Sequence, residues 1–258
     1  MTPTVFSGTA PLRACRGFLL DLDGTLIRGD RTTDGAAELL ERLGGRFVLV
    51  SNNSSRTAAT LSADLAGLGL EVPSHRIVLA GEAALEYVAA HYPGGRVLAV
   101  AAPPLRARAR ELGLVLVERS PDAVLLACDE GFDYAGLSSV VAAVNGGSRL
   151  VVANPDRTRP GADGAVHPET GALLAAILAC TGGCDYELIG KPAPMLLCRA
   201  LERLGLSPAE TVLIGDNLET DGLGARRIGM PFCLLGPHPG AVAADPAGLL
   251  ASEAFRSV

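Results

Sequence analysis

The stretch FLLDLDGTLI, residues 18–27, places two carboxylates where an apolar segment ends. Phe18–Leu20 is purely apolar, Asp21 follows it directly, and Asp23 comes one residue later, before Gly24. Carboxylates are costly in apolar surroundings. Residues two apart on a strand point to the same side, so both carboxylates can face one pocket at the strand's end. The stretch therefore predicts a functional site at the carboxyl end of a buried strand.

The same pattern also fits a second interpretation, a strand that ends in a turn with solvated carboxylates. A short motif stays a hypothesis until its structural context supports it. The question is then whether other strands of the chain end in groups that belong to the same chemistry.

Ten apolar runs have the length and composition of buried strands. Most are continuously apolar, which is typical of strands covered on both faces in a parallel sheet. Helical patterns lie between them, and this alternation predicts an α/β fold built from βαβ units. The predicted strands are GFLLDLD, RFVLVSNN, RIVLAG, RVLAVAA, LVLVERS, AVLLACD, RLVVANPD, YELIGKP, TVLIGDN and PFCLLG. The predicted helices cover residues 32–45, 54–70, 81–95, 134–147, 167–183, 193–207 and 220–230, with Ser54 as the N-cap of the second.

The strands differ in the residues that follow them. Several end in polar groups, namely DLD, SNN, GKP and GDNLETD, and ligands bind beyond the carboxyl ends of strands in open α/β sheets. Between about residues 77 and 186 such endings are missing, apart from VVANPD at 151–156. We therefore predict a core domain, residues 1–80 and 187–258, interrupted by an inserted α/β domain at 81–186.

The motif SNNSS, residues 51–55, follows the second predicted strand. Ser51 offers a hydroxyl and Asn52 an amide, and a turn into a helix offers free backbone N–H groups that bind anions. The alternative is a simple Ser/Asn helix cap.

The motif IGKPAP, residues 189–194, places Lys191 directly after another strand. A lysine held there can serve as a fixed positive charge. The alternative is an ordinary surface lysine, which is the commoner fate of this residue type.

The motif LIGDNLETDGLGA, residues 213–225, is the strongest companion of the opening stretch. Asp216 can bind a hard cation through oxygen, and Asp221 can hold Lys191 or a metal-bound water. The alternative for Asp221 is a cap at a helix N-terminus, which favours a carboxylate.

Taken together and in this order, the four motifs resemble those of the haloacid dehalogenase (HAD) superfamily. DLDGT is similar to its first motif, Ser51 to its second, Lys191 to its third and GDNLETD to its fourth. An insertion between the second and third motifs is where the family carries its C2 cap. VVANPD, ETGALLAAI and IGKPAP further resemble the NagD-like (HAD-IIA) phosphatases. The resemblance implies a Rossmann-like parallel-sheet core with an inserted α/β C2-type cap.

The resemblance also implies a reaction, the hydrolysis of phosphate monoesters. It makes Asp21 the nucleophile that becomes an aspartyl-phosphate, and Asp23 the acid/base. Mg²⁺ is then held by Asp21, the backbone carbonyl of Asp23 and Asp216. Ser51, the Asn52 amide and Lys191 hold the phosphoryl oxygens, and Asp221 orients Lys191 or a metal-bound water.

The inserted domain is expected to close over the site and select the substrate. Asn154, Asp156 and His167 are candidate specificity residues because they follow a strand of the insertion on polar segments. For His167 a surface or packing role is the alternative. The expected partner is a small phosphate ester such as a sugar phosphate, glycerol phosphate, phosphoglycolate or nucleotide. Caps of this class often mediate dimers, so the resemblance adds a homodimer to the expected partners.

Charge and hydropathy exclude several classes of protein. The net charge is −6, from 22 basic and 28 acidic residues, without the basic stripe of a nucleic-acid binder. No apolar run reaches the roughly 18 residues of a membrane helix, and the N-terminus lacks a signal-peptide core. We therefore expect a cytoplasmic protein with neither a nucleic-acid nor a membrane partner.

Two functions from other classes compete with an enzyme. One is a receiver-type signalling module, but there the acidic pair precedes the phosphorylated Asp, and the domain has about half this length. The other is a catalytically retired HAD scaffold that acts by binding. Such a scaffold should have lost a motif carboxylate, and this sequence retains all of them.

Overall fold

The computed structural model describes residues 12, 15–160 and 165–255, so most of the N-terminal segment inspected for a signal peptide lies outside the described residues. Contacts divide the chain into two compact units. The core unit comprises the described residues of Met1–Ser51, Ala58–Val78 and Lys191–Val258. The insert unit comprises those of Asn52–Thr57 and Leu79–Gly190.

The secondary structure alternates along both units. The strands of the described chain are β1 (Gly17–Leu20), β2 (Ile27–Arg28), β3 (Arg31–Thr32), β4 (Phe47–Ser51), β5 (Ile77–Leu79), β6 (Arg96–Val100), β7 (Val115–Leu116), β8 (Ala123–Leu126), β9 (Arg149–Val152), β10 (Thr158–Pro160), β11 (Val166–Pro168), β12 (Tyr186–Leu188), β13 (Thr211–Gly215) and β14 (Phe232–Leu234). The helices are α1 (Ala36–Leu43), α2 (Ala58–Gly67), α3 (Ala80–His91), α4 (Pro103–Glu111), α5 (Tyr134–Asn145), α6 (Thr170–Thr181), α7 (Pro194–Leu204), α8 (Leu223–Arg227) and α9 (Pro246–Ala251).

In the core unit, β1 lies at the centre of a five-stranded sheet with the order β14-β13-β1-β4-β5. It pairs in parallel with β13 on one side and with β4 on the other, so that Leu19 faces both Leu213 and Val48. All four residues of β1 are buried. A strand covered on both faces needs an apolar residue at every position, which explains the unbroken apolar run before Asp21.

The insert unit has its own parallel sheet, with the order β12-β9-β8-β6-β7. Its hydrophobic core joins this sheet to α5 and α6, through residues such as Val124, Val140, Leu150 and Ile177. Each unit thus buries its own apolar core, as an independent α/β layer structure requires.

The predicted α/β fold class is confirmed, and each of the ten predicted strands is present. Two hairpins, β2–β3 and β10–β11, were not predicted, and their strands are only two or three residues long. In the first, the two-residue connection Gly29–Asp30 was an available turn signal. No helix of the described chain is long and apolar enough to cross a membrane.

The predicted N-cap at Ser54 is wrong. Helix α2 begins at Ala58, four residues later, and the Ser54 hydroxyl is buried in hydrogen bonds within the insert unit. Contacts also place the unit boundaries after Val78 and Gly190, two and four residues from the predicted boundaries after residues 80 and 186. The role of the insert unit as a cap stays a prediction.

Candidate active site

Asp21 lies at the carboxyl end of β1, in the centre of the core sheet. Its backbone N–H donates to the carbonyl of Ile214 at 2.9 Å, so the pairing with β13 extends to this residue. The residue is 6% exposed. A carboxylate at such depth needs a charged partner or hydrogen bonds to offset its lost hydration.

Lys191 is that partner. Its Nζ lies 2.5 Å from Asp21 Oδ1 and 2.7 Å from Asp221 Oδ1, and it donates to the carbonyl of Val50 at 3.1 Å. The three acceptors match the three donors of an ammonium group. Burial alone would lower the pKa of Lys191, but the two carboxylates outweigh burial and raise it. Lys191 is therefore a fixed cation, and the surface-lysine alternative is wrong.

Asp221 lies in a single π-helical turn, Leu218–Gly222, that follows β13. It is fully buried. Burial raises the pKa of its carboxyl, and the positive charge of Lys191 opposes that rise. A Cβ at Gly215 would lie 2.4 Å from Asp221 Oδ2, so the glycine provides the space for this carboxylate.

Asp216 completes a cluster of three carboxylates at the end of β13. One carboxylate oxygen from each of Asp21, Asp216 and Asp221 lies within 4.8 Å of the others. Burial and the negative charge of Asp21 raise the pKa of Asp216 from 3.8 to about 6, although Lys191 and His238 oppose the rise. Three carboxylates thus share one lysine, which leaves an excess of negative charge.

This donor set fits a divalent cation. Mg²⁺ prefers carboxylate oxygens and binds them at about 2.1 Å, so that opposite ligands lie about 4 Å apart. The three oxygens lie within 4.8 Å of one another, so a single ion could contact all of them after small movements of the side chains. Asp21 and Asp216 are the side chains that the sequence assigned to the metal. Asp221 belongs to the same cluster while one of its oxygens contacts Lys191.

Asp23 differs from Asp21 because it is exposed. Ser51, at the end of β4, is buried, and its hydroxyl lies 3.5 Å from Asp23 Oδ2. Parallel strands that end at one edge thus bring the first two motifs together. One carboxylate of the opening pair is buried against a lysine, and the other faces solvent.

The remaining predicted residues lie in the insert unit. Asn154 is fully buried and its amide is hydrogen-bonded within that unit, partly to the main chain of Asn52. Asp156 is half-buried, and its N–H donates to Asn154 Oδ1. His167 is exposed on β11, opposite Arg159 of β10. Contact of these residues with a substrate, and of Asn52 with phosphate, stays a prediction.

Comparison with known proteins decides the family. A haloacid dehalogenase-like hydrolase model matches residues 18–115, and a HAD-hydrolase-like model matches residues 188–237. The chain is 32% identical over 207 residues to dihydroxyacetone phosphatase from Corynebacterium glutamicum (strain R), covering 79% of this chain and 74% of that protein. The chain belongs to the haloacid dehalogenase-like hydrolase family.

Solved HAD structures place the chain in the NagD-like branch. Glycerol phosphate phosphatase from Mycobacterium tuberculosis, in complex with magnesium, aligns with a TM-score of 0.82 at 31% identity, covering 93% of this chain and 75% of that one. NagD from E. coli K-12 aligns with a TM-score of 0.81 at 25% identity, covering 90% and 97%. The predicted resemblance to NagD-like HAD phosphatases is confirmed.

One residue that acts on this HAD site, His238, was not predicted. It lies on the segment after β14 and opposes the rise in the pKa of Asp216, but nothing in the local sequence distinguished it. Lys191 was predicted from its motif, and the rarity of lysine in this chain is a further signal. Lys191 is the single lysine in a sequence with 22 basic residues, so arginine fills the other 21 positions. A chain that uses arginine everywhere else keeps a lysine where a compact ammonium must fit between two carboxylates.

Proposed function

We propose that the protein is a Mg²⁺-dependent phosphatase that hydrolyses phosphate monoesters of small metabolites through an aspartyl-phosphate. The observation that carries this proposal is the buried Lys191 between Asp21 and Asp221, with Asp216 beside them. Phosphoryl transfer needs a positioned nucleophile and strong charge neutralisation, and little else from the protein. At the end of the central strand, this cluster supplies the positioned nucleophile and one fixed cation, and its excess negative charge would hold the metal that completes the neutralisation.

Asp21 is the proposed nucleophile. Lys191 holds its carboxylate through Oδ1, and a carboxylate oxygen would attack phosphorus to form the covalent intermediate. Lys191, Ser51 and the Asn52 amide are the proposed ligands of the phosphoryl oxygens. Asp221 holds Lys191 in place through the 2.7 Å ion pair.

Asp23 is the proposed general acid and base. Its exposure lets it reach both a leaving alcohol and a water molecule, which a buried carboxylate could not do. It would protonate the leaving oxygen in the first step and deprotonate water in the second. In the HAD superfamily, as in the resemblance above, an Asp at this position is typical of phosphatases.

The metal is proposed to be Mg²⁺, held by Asp21, Asp216 and the backbone carbonyl of Asp23. When bound, it would supply positive charge that offsets the repulsion between a carboxylate nucleophile and a phosphate dianion. The side chains contribute the negative charge that retains it. Asp221 and Lys191 complete the local charge balance.

Small phosphate esters are the proposed substrate class. The relatives described above are named for dihydroxyacetone phosphatase and glycerol phosphate phosphatase activity, so three-carbon phosphates are the first candidates. Sugar phosphates, phosphoglycolate and nucleotides are the next. The insert unit is the proposed cap, with Asp156 and His167 as candidate contacts. A homodimer, a cytoplasmic location and the lack of nucleic-acid and membrane partners stay predictions from sequence.

The test is Mg²⁺-dependent release of phosphate from p-nitrophenyl phosphate, followed by kcat/KM for a panel of phosphate esters. Asp21→Asn should reduce kcat by about 10³-fold or more because it removes the nucleophile. Asp30→Asn is the matched control, since Asp30 is an exposed residue of the nearby β2–β3 turn. An Asp21→Asn protein with full activity would refute the proposed mechanism.

The same assay separates the enzyme from its two competitors. A retired scaffold or a receiver-type module would give no sustained turnover with any ester. The motif carboxylates Asp21, Asp23, Asp216 and Asp221 are all retained, which favours the enzyme.

A further inference from the structure

Asn154 is a buried amide whose polar atoms are all engaged inside the insert unit. Its Nδ2 donates to the carbonyl of Asn52 at 2.8 Å, to Ser54 Oγ at 2.9 Å and, more weakly, to Thr170 Oγ1 at 3.2 Å. Its Oδ1 accepts from the N–H of Asp156 at 3.0 Å. The amide orientation is therefore fixed, with the nitrogen directed at the Asn52–Thr57 loop and the oxygen directed away from it.

The hydroxyl of Ser54 anchors this loop from a second direction. Ser54 Oγ accepts from the N–H of Cys128 and lies 3.0 Å from Thr170 Oγ1. Thr170 Oγ1 donates to the carboxylate of Glu169 at 3.0 Å, so the Ser54 proton points to Thr170. Ser54 and Thr170 are fully buried. The network is thus ordered in one direction, and it ends on a carboxylate.

Asn52 is also confined by Gly190, the residue before Lys191. The Gly190 N–H donates to the carbonyl of Ala153 at 2.8 Å, which continues the chain pairing beyond β9 and β12. A Cβ at Gly190 would lie 2.6 Å from Asn52 Oδ1. The main chain of Asn52 is therefore held by Asn154, and its side chain packs against a glycine that leaves no spare room.

We propose that Asn154, with Thr170, is a positioning residue for the Asn52–Thr57 loop and acts on phosphate binding through Asn52. This inference rests on the proposed function, in which Asn52 holds a phosphoryl oxygen. It differs from the sequence-based expectation that Asn154 contacts the substrate. A fully buried amide with no unused donor has nothing to offer a substrate, but it can fix a neighbour that does.

The two roles of Asn154 predict different patterns of loss. Every substrate of a phosphatase carries the same phosphoryl group. A misplaced Asn52 should therefore weaken the binding of all esters by a similar factor. It should also weaken the binding of the product, inorganic phosphate, by that factor. If Asn154 instead contacts the substrate directly, its loss should weaken the binding of some esters more than others and leave the binding of inorganic phosphate unchanged.

The sharpest variant is Asn154→Asp, which keeps the size of the side chain and replaces the donor by an oxygen. That oxygen would face the Asn52 carbonyl, which can only accept. We expect KM for each ester and the inhibition constant of inorganic phosphate to rise about tenfold, with a smaller change in kcat. Asn154→Ala should show the same pattern. Asn145→Ala, at an exposed position in the same unit, is the matched control and should change neither constant.

A second pair of variants keeps the inference testable if Asn154 variants do not fold. Thr170→Val removes the hydroxyl between Ser54 and Glu169, whereas Thr170→Ser retains it. We expect Thr170→Val to weaken the binding of inorganic phosphate and Thr170→Ser to retain the wild-type affinity. Hydrogen exchange of the loop amides, measured without substrate, should be faster in Asn154→Ala and Thr170→Val than in Asn145→Ala.

The outcomes distinguish this inference from the proposed function. Wild-type protein that neither hydrolyses any ester nor binds inorganic phosphate would contradict the proposed function. Active wild-type protein, with folded Asn154 and Thr170→Val variants that bind inorganic phosphate equally well, would overturn the positioning role alone. If the variants lose affinity only for particular esters, the positioning role is wrong and Asn154 contacts the substrate directly.

Discussion

Lys191 Nζ lies 2.5 Å from Asp21 Oδ1, although 170 residues separate the two in sequence. Both residues are buried, at 2% and 6% exposure. Removing Lys191 would leave the buried Asp21 and Asp221 carboxylates without their cation, and an uncompensated buried charge typically costs about 3–5 kcal/mol. The pair thus connects the strand that ends in the first motif to the segment that follows the insertion.

Chemical acylation can test the environment of Lys191 directly. The chain has a single lysine, so an amine-reactive reagent can modify only Lys191 and the N-terminal amine. Burial and the raised pKa should protect Lys191 in the folded protein, because the reagent needs an accessible neutral amine. We expect Lys191 to stay unmodified under native conditions and to react in guanidinium, as read by peptide mass spectrometry. The N-terminal amine is the internal control, and acylated Lys191 in folded protein would contradict the structure.

Gly24→Ala should damage the acidic cluster selectively. A Cβ at Gly24 would lie 2.0 Å from Asp216 Oδ2, and the backbone there has φ +89°. We expect a loss of Mg²⁺ affinity and of kcat of at least about tenfold, because Asp216 must move. Gly69→Ala is the control, since Gly69 has φ +80° in the same unit but nothing within 4 Å of its Cβ position. Equal losses in both variants would point to backbone strain and not to displacement of Asp216.

Asp23→Asn should depend on the leaving group. If the exposed Asp23 protonates the leaving oxygen, its loss should lower kcat by about 10²–10⁴-fold with alkyl phosphates. The loss should be smaller with p-nitrophenyl phosphate, whose leaving group needs little protonation. The comparison of kcat for the two ester types provides the measurement. A loss of equal size for both ester types would contradict the acid role.

Magnesium should stabilise the protein more at high pH than at low pH. Burial and Asp21 raise the pKa of Asp216 from 3.8 to about 6 in the folded protein, so the folded state holds a proton that the unfolded state has lost. Between these values, the metal-free protein loses stability as pH rises. Burial raises the pKa of Asp221 further, to about 7, so the repulsion between Asp216 and Asp221 is greatest above that pH. We expect Mg²⁺ to raise Tm more at pH 8 than at pH 5.

The controls for that experiment are K⁺ at matched ionic strength and the Asp216→Asn variant. Potassium should not reproduce the increase, because screening by a monovalent ion is not ligation. The Asp216→Asn variant should lose most of the rise in Tm that Mg²⁺ causes at pH 8. The same rise in Tm at both pH values would show that the carboxylates and Mg²⁺ are not linked.

Most of the fold could be read from sequence because its central strands, such as β1, β4, β8 and β13, are buried at every position. Such strands need apolar residues throughout, and so most of the ten predicted strands stood out as continuous apolar runs. The hairpin β2–β3 gave no such signal because its strands are two residues long and mostly exposed. Ser54 was misassigned for a related reason. Locally it looks like a helix cap, but its hydroxyl has partners in residues that lie far away in the chain.

The sequence by itself determined which residues carry the chemistry and where strands end, because both depend on neighbours within a few positions. It placed Asp21, Asp23, Lys191 and Asp216 directly after predicted strands. Only the tertiary structure decided which charges meet, and that the Asn52–Thr57 loop belongs to the insert unit. The bond from Asn154 to Asn52 spans 102 residues, and the pair of Lys191 with Asp21 spans 170. Such contacts depend on how the sheets are assembled, which no local pattern encodes.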